Sequence, residues 1–123
     1  MPREWSDDEL MRNILMRHRY LNFVRRALDP QRYPRITNDP RLPPGYVATH
    51  QMSWQTIESG PEQGKNIVYP NIVFDSQTGQ LKWLEGKEAI DYALRTGEYI
   101  SMPTPESADW LSKHYKRGAG IGR

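Results

Sequence analysis

Two kinds of hydrophobic spacing divide the chain. Between residues 6 and 28, Leu10, Ile14, Leu21, Val24 and Leu28 recur at the three- and four-residue steps of a helix face, with Arg17 interrupting one seam position. Ser6 suits the N-cap, Glu9 completes a capping box, and Asp7 and Asp8 favour the positive end of the helix dipole. Asp29-Pro30 is the expected stop, because a residue before proline is pushed out of the helical region. Met16, Tyr20, Phe23 and Ala27 add a second apolar arc, while Arg12, Arg19 and Arg26 fall seven apart on the side away from the main stripe. So broad an apolar surface predicts burial against more than one neighbour. The expectation is that one face meets another subunit; the alternative is that a small domain wraps around its own helix.

Five prolines in the seventeen residues 29–45 (Pro30, Pro34, Pro40, Pro43, Pro44) exclude a regular helix or central strand. An extended, semi-rigid arm that could lie along a neighbouring subunit is predicted there, against the plainer reading of a linker. From Tyr46 the spacing becomes two: Tyr46, Ala48, His50, Met52 and Trp54 share one face of a predicted strand. Gly60-Pro61 and Gly64 mark a loop over 58–65. Residues 66–75 read as a second strand with Pro70 at an edge or bulge, 76–79 as a tight turn, and 80–84 as a third strand. Residues 87–96 predict a helix with Ala89, Ile90, Ala93 and Leu94 inward and Gly97 as its terminator. Residues 99–102 are extended. Thr104-Pro105-Glu106 then starts a last helix, expected to run to about Lys116 and to bury Ala108, Leu111 and Tyr115.

The predicted fold class is α+β: a three-stranded antiparallel meander with two C-terminal helices, preceded by a long amphipathic N-terminal helix and a Pro-rich extended arm. The expected divisions are the helix at 1–29, the arm at 30–45, the small domain at 46–117 and a flexible basic tail at 118–123.

Composition narrows the chemistry. The chain has 123 residues and no cysteine, which excludes disulfides, thiol nucleophiles and Cys-ligated metals. No apolar run approaches the roughly 20 residues of a membrane span. Acids occupy the start where a secretory signal would be apolar, so synthesis in the cytoplasm without an export signal is expected. Net charge is +2, but it is unevenly placed. Residues 1–45 hold nine arginines against six acids, 46–112 hold four bases against nine acids, and 113–123 hold four bases and no acid. Basic ends around an acidic middle suit head-to-tail contact between copies, or docking on an acidic partner. A dedicated nucleic-acid binder would carry more positive charge.

His18, His50 and His114 sit on three different elements, none with a partner at metal-ligand spacing, and no cofactor motif is present. Ser59 and Ser101 lack the strand–turn–helix setting of an activated nucleophile. Glu58, Asp75, Glu85, Glu88 and Asp91 surround the meander and are the candidates for paired-carboxylate hydrolysis. Glu88 and Asp91, at i and i+3, read more simply as a solvated helix face. Four tryptophans, seven tyrosines and two phenylalanines supply core anchors; interleaved with arginine they also suit an interface.

Several segments carry a resemblance: Tyr69-Pro70-Asn71-Ile72-Val73, Gly79-Gln80-Leu81-Lys82-Trp83-Leu84, Glu88 to Leu94, Thr96 to Ile100, Thr104 to Trp110, and Tyr115-Lys116. Over 46–117 the chain resembles small virion proteins of tailed bacteriophages, and modules attached to internal virion proteins, some of which carry lytic transglycosylase domains elsewhere. No transglycosylase glutamate motif is present, so no catalytic residue transfers. The resemblance implies residence in the phage particle, with assembly in the host cytoplasm, and a non-enzymatic structural role. Expected partners are other virion proteins and further copies of the chain. The expected partner-binding residues are Leu10, Ile14, Leu21 and Val24 of the stripe, Arg12, Arg19 and Arg26 beside it, and Arg32, Tyr33 and Arg35 of the arm. The rival expectations are a peptidoglycan-degrading or ejection-associated enzyme and a nucleic-acid-binding accessory protein.

Overall fold

In the computed structural model, which describes residues 6–29, 51–75 and 77–119, the N-terminal stretch folds as two helices rather than one. Helix α1 spans Asp7–Arg17 and α2 spans Asn22–Leu28. The capping box is present: Ser6 Oγ accepts from Glu9 N–H, and Glu9 Oε1 from Ser6 N–H, each at 3.2 Å. At the other end His18 N–H donates to Ile14 O and Leu15 O, and Leu21 N–H donates to His18 O at 3.0 Å, closing a turn over 18–20. Leu21 is extended (φ −78°, ψ 137°) and offers no side-chain cap. Glu98 replaces it from 75 residues away, accepting from Phe23 N–H at 3.2 Å within the second residue of α2.

The break resets the helical phase. In α1 the buried positions are Met11 and Leu15, while Leu10 is 41% exposed; in α2 Phe23, Val24, Arg26 and Ala27 are buried. The predicted stripe therefore does not run continuously along one outer face.

Strands β1 (Met52–Thr56), β2 (Asn66–Pro70) and β5 (Ile100–Met102) form a three-stranded antiparallel sheet in the order β1-β2-β5. The predicted meander holds only in part. Its third strand is the short extended segment at 100–102, and the predicted strand over 66–75 is two strands that part at Asn71. Strand β3 (Ile72–Asp75) leaves the sheet and pairs instead with β4 (Gln80–Trp83) as a separate two-stranded hairpin. Asn71 holds the parting point with every polar group engaged. Its N–H donates to Gln51 O (2.9 Å), its C=O accepts from Leu84 N–H (2.6 Å), Oδ1 accepts from Ser53 Oγ–H, and Nδ2 donates to Leu84 O (3.4 Å). Asn66 does the same at the other end of β2, between Thr56 and Met102 O.

All five residues of β2 are buried, as expected of a central strand covered on both faces. Val68 faces a cluster with Met11, Leu15, Phe23, Leu111 and Tyr115 from α1, α2 and α4 (Pro105–Ala119); Ile67 and Tyr69 face another with Val73, Leu84 and the alanines of α3 (Gly86–Thr96). The molecule is thus three layers of an α+β fold: helices α1, α2 and α4, the sheet, then α3 with the hairpin. The N-terminal helices share their core with the body, α1 packing most extensively on α4, so the body wraps its own helix. The C-terminal helices follow expectation: Gly97 is left-handed (φ 78°) after α3, and Thr104 Oγ1 accepts from Ser107 N–H before Pro105. Helix α4 continues past Lys116 to Ala119, beyond the expected tail boundary at 118. The arm at 30–45, the strand start at 46–50 and residues 120–123 lie outside the described residues.

Candidate binding groove

Helix α3 is amphipathic, with its charged residues on a face turned from the core and Tyr92 at the edge of that face, packed against the core. Ala89 and Ala93 are buried, with Ile90 and Leu94 half-buried beside them. At 100° per residue, Lys87, Glu88, Asp91, Tyr92 and Arg95 then fall within one arc on the opposite side. The hairpin stands along this face. Its turn is set by Asp75, whose Oδ1 accepts from Gln77 N–H (2.9 Å) and whose C=O accepts from Gly79 N–H (2.8 Å). Gly79 takes the left-handed φ of 71° that the turn requires. Alternation along β3 and β4 turns Val73 and Asp75, with Lys82 and then Leu84, to one side.

Between hairpin and helix lies an open groove of about 750 Å³. Val73, Leu84 and the Tyr92 ring give it apolar walls, while Phe74, 39% exposed, borders it with its side chain on the opposite face of the hairpin. Three acids, Asp75, Glu88 and Asp91, and three bases, Lys82, Lys87 and Arg95, surround these. The Arg95 guanidinium sits 5.8 Å from the Tyr92 ring centre. Burial raises the Tyr92 hydroxyl above the ordinary tyrosine value; Glu98 adds to the rise, and Arg26 and Arg95 oppose it. Among the described residues the side chains of Lys82, Lys87, Glu88 and Asp91 form no hydrogen bond or ion pair. The hairpin is tied to the helical layer from beneath: the Arg26 guanidinium, 2% exposed, donates to Ile72 O at the start of β3.

Two other polar groupings are structural in geometry. Trp54 Nε1–H donates to Asp109 Oδ1 at 3.0 Å, and Lys113 pairs with the same carboxylate at 3.0 Å; Lys113 foremost, then Trp54, holds Asp109 below its ordinary value. In the 58–65 loop Lys65 pairs with Glu62, and Tyr99 O–H donates to Glu62 Oε2 at 3.1 Å. Both contacts lower the Glu62 carboxyl, Lys65 more than Tyr99.

No protein-family model, no curated protein and no solved structure matches this chain.

The structure distributes the expected partner-binding residues unevenly. Leu21 and Val24 belong to the chain's own core, and Arg26 is buried rather than in an outer arginine strip. Leu10 stays at the surface, and Ile14 is half-buried against the core. Arg12 and Arg19 are exposed, although two helical steps put Arg12 about 160° around α1 from Leu10. Arg32, Tyr33 and Arg35 lie outside the described residues. Of the five candidate carboxylates the fold gathers three, Asp75, Glu88 and Asp91, at the groove, and leaves Glu58 and Glu85 exposed elsewhere. Sequence reasoning did not reach Phe74, Lys82, Lys87, Tyr92 and Arg95. The signal for the helical ones was the charged face opposite Ala89 and Ala93.

His18 Nδ1–H donates to Ile14 O at 2.8 Å, and its ring lies 6.0 Å from that of Tyr20; His114 is exposed. Among the described residues no group of three His, Asp or Glu is placed to hold a metal ion, and no helix is long and apolar enough to cross a membrane.

Proposed function

We propose that this chain is a non-enzymatic structural protein of a bacteriophage particle, working by protein–protein binding through the groove between the β3–β4 hairpin and α3. The observation that carries the binding role is the rim itself. Four charged side chains with no partner among the described residues stand around an apolar floor, the arrangement of a rim that meets a second surface. Hydrolysis is less well served by the same residues. A carboxylic acid that must hold a proton near neutral pH needs shielding from water, and Glu88 and Asp91 are exposed. The particle as the place of action rests on the resemblance over 46–117. Quantitative mass spectrometry of particles purified from the virus that encodes the chain tests it. A reproducible copy number relative to the major capsid protein is expected, and absence from the particle would overturn it.

A further inference from the structure

We propose that residues 30–50 of this same chain seat on the face of the β3–β4 hairpin that turns away from the groove. This is independent of what fills the groove. Register and alternation put Ile72, Phe74, Leu81 and Trp83 together on that face. Ile72 is 0% exposed and Leu81 and Trp83 are half-buried, yet neither of the two core clusters of described residues includes any of them. Side chains so shielded have a cover that those clusters do not supply.

The course of the chain selects that cover. Residues 30–50 begin directly after Asp29, the C-cap of α2 and three residues beyond the Arg26 that donates to Ile72 O. They end at Gln51, whose C=O accepts from Asn71 N–H (2.9 Å) beside Ile72. Both ends of these twenty-one residues therefore stand at the root of the hairpin. At about 3.1 Å per residue, a proline-rich stretch of this length supplies roughly 65 Å of chain. Passing out along a four-residue strand and back takes roughly 26 Å. The chemistry matches as well. Tyr33, Ile36, Leu42, Tyr46 and Val47 give the segment apolar side chains of its own. Its five prolines cannot donate to a strand ladder, but proline-rich segments dock on aromatic side chains, and this face carries Trp83 and Phe74. Seated there, Arg32, Tyr33 and Arg35 serve the chain's own body and not a neighbouring subunit.

The chain has no cysteine, so Thr37→Cys gives a single attachment point for a photoactivated cross-linker in the middle of the segment. Adducts mapped by peptide mass spectrometry on the full chain should fall on residues 72–84. An equimolar mixture of chains grown in ordinary and heavy nitrogen should give isotopically pure adducts, with segment and hairpin in one molecule. Adding Leu81→Ser and Trp83→Ser removes much of the seat and should cut the adduct yield about tenfold. Amide-exchange protection of the β1-β2-β5 sheet checks that this variant keeps its fold; if it does not, the adduct map and the isotope pattern decide. Adducts concentrated elsewhere overturn the proposal, as does a folded double-serine variant with an undiminished yield. Isotopically mixed adducts overturn it too, because the segment of a second copy then occupies the face. None of these outcomes bears on the copy number in particles, so the proposed function stands or falls separately.

Discussion

Arg26 stands seven residues from Arg19 and fourteen from Arg12, a spacing that would align all three on one continuous helix. The turn at 18–20 cancels that alignment, and Arg26 enters the interior to bond a backbone carbonyl that would otherwise be buried without a donor. Arg26→Ala should therefore lower stability by about 2–3 kcal/mol in chemical denaturation, since a buried acceptor loses a charged donor. Arg19→Ala, at an exposed site, should stay within about 0.5 kcal/mol. Asn71 is the second residue whose role is set by position. Truncation to Ala removes the side-chain bonds to Ser53 and Leu84 that hold β3 away from the sheet, at an expected cost of roughly 1–3 kcal/mol. Equal stability of Asn71→Ala and wild type would count against that role.

Elements whose signals are local were legible in the sequence. Gly97 ends α3 and Thr104-Pro105 begins α4 because the backbone conformations there favour few residue types. A Cβ at Gly97 would meet nothing within 4 Å, so Gly97→Ala isolates the backbone cost of the left-handed conformation; a loss of about 1–2 kcal/mol in thermal unfolding is expected. What stayed hidden depends on distant partners. His18-Arg19-Tyr20 contains neither glycine nor proline, and the helix breaks there because Leu21, Phe23 and Val24 gain a core and Glu98 supplies a cap from across the fold. The pairing of 100–102 with β2 crosses a whole helix and leaves no periodicity to read. Half of the groove was visible as three carboxylates; its bases emerge only once hairpin and helix are set side by side. The break also changes what one substitution does. Leu21→Asp places a charge in the core shared with Met52 and Val68, so it should abolish the cooperative fold by circular dichroism, not only an assembly contact. A folded variant that merely fails to assemble would restore the outer-stripe reading.

For the molecule as a whole, the tyrosines set the alkaline limit. Burial raises Tyr69, Tyr92, Tyr99 and Tyr115 above the ordinary value of 10.0, Tyr115 the most. The folded chain holds these protons after the unfolded chain has released them. Stability is thus complete below about pH 10 and falls as pH rises toward the folded-state values. Tyr115→Phe should flatten that fall by up to about 1.4 kcal/mol per pH unit, measured as denaturation midpoints across the alkaline range; an unchanged slope would exclude Tyr115 as a contributor. The packing of α1 on α4 has a consequence in time. The ribosome finishes α1 88 residues before it reaches Pro105. At roughly 5–20 residues per second, the first helix spends on the order of ten seconds with Met11 and Leu15 uncovered. A nascent chain tethered through a force-sensitive stalling sequence should therefore register no pull from folding until Tyr115 has cleared the exit tunnel, leaving the newborn N-terminus open to chaperones until then.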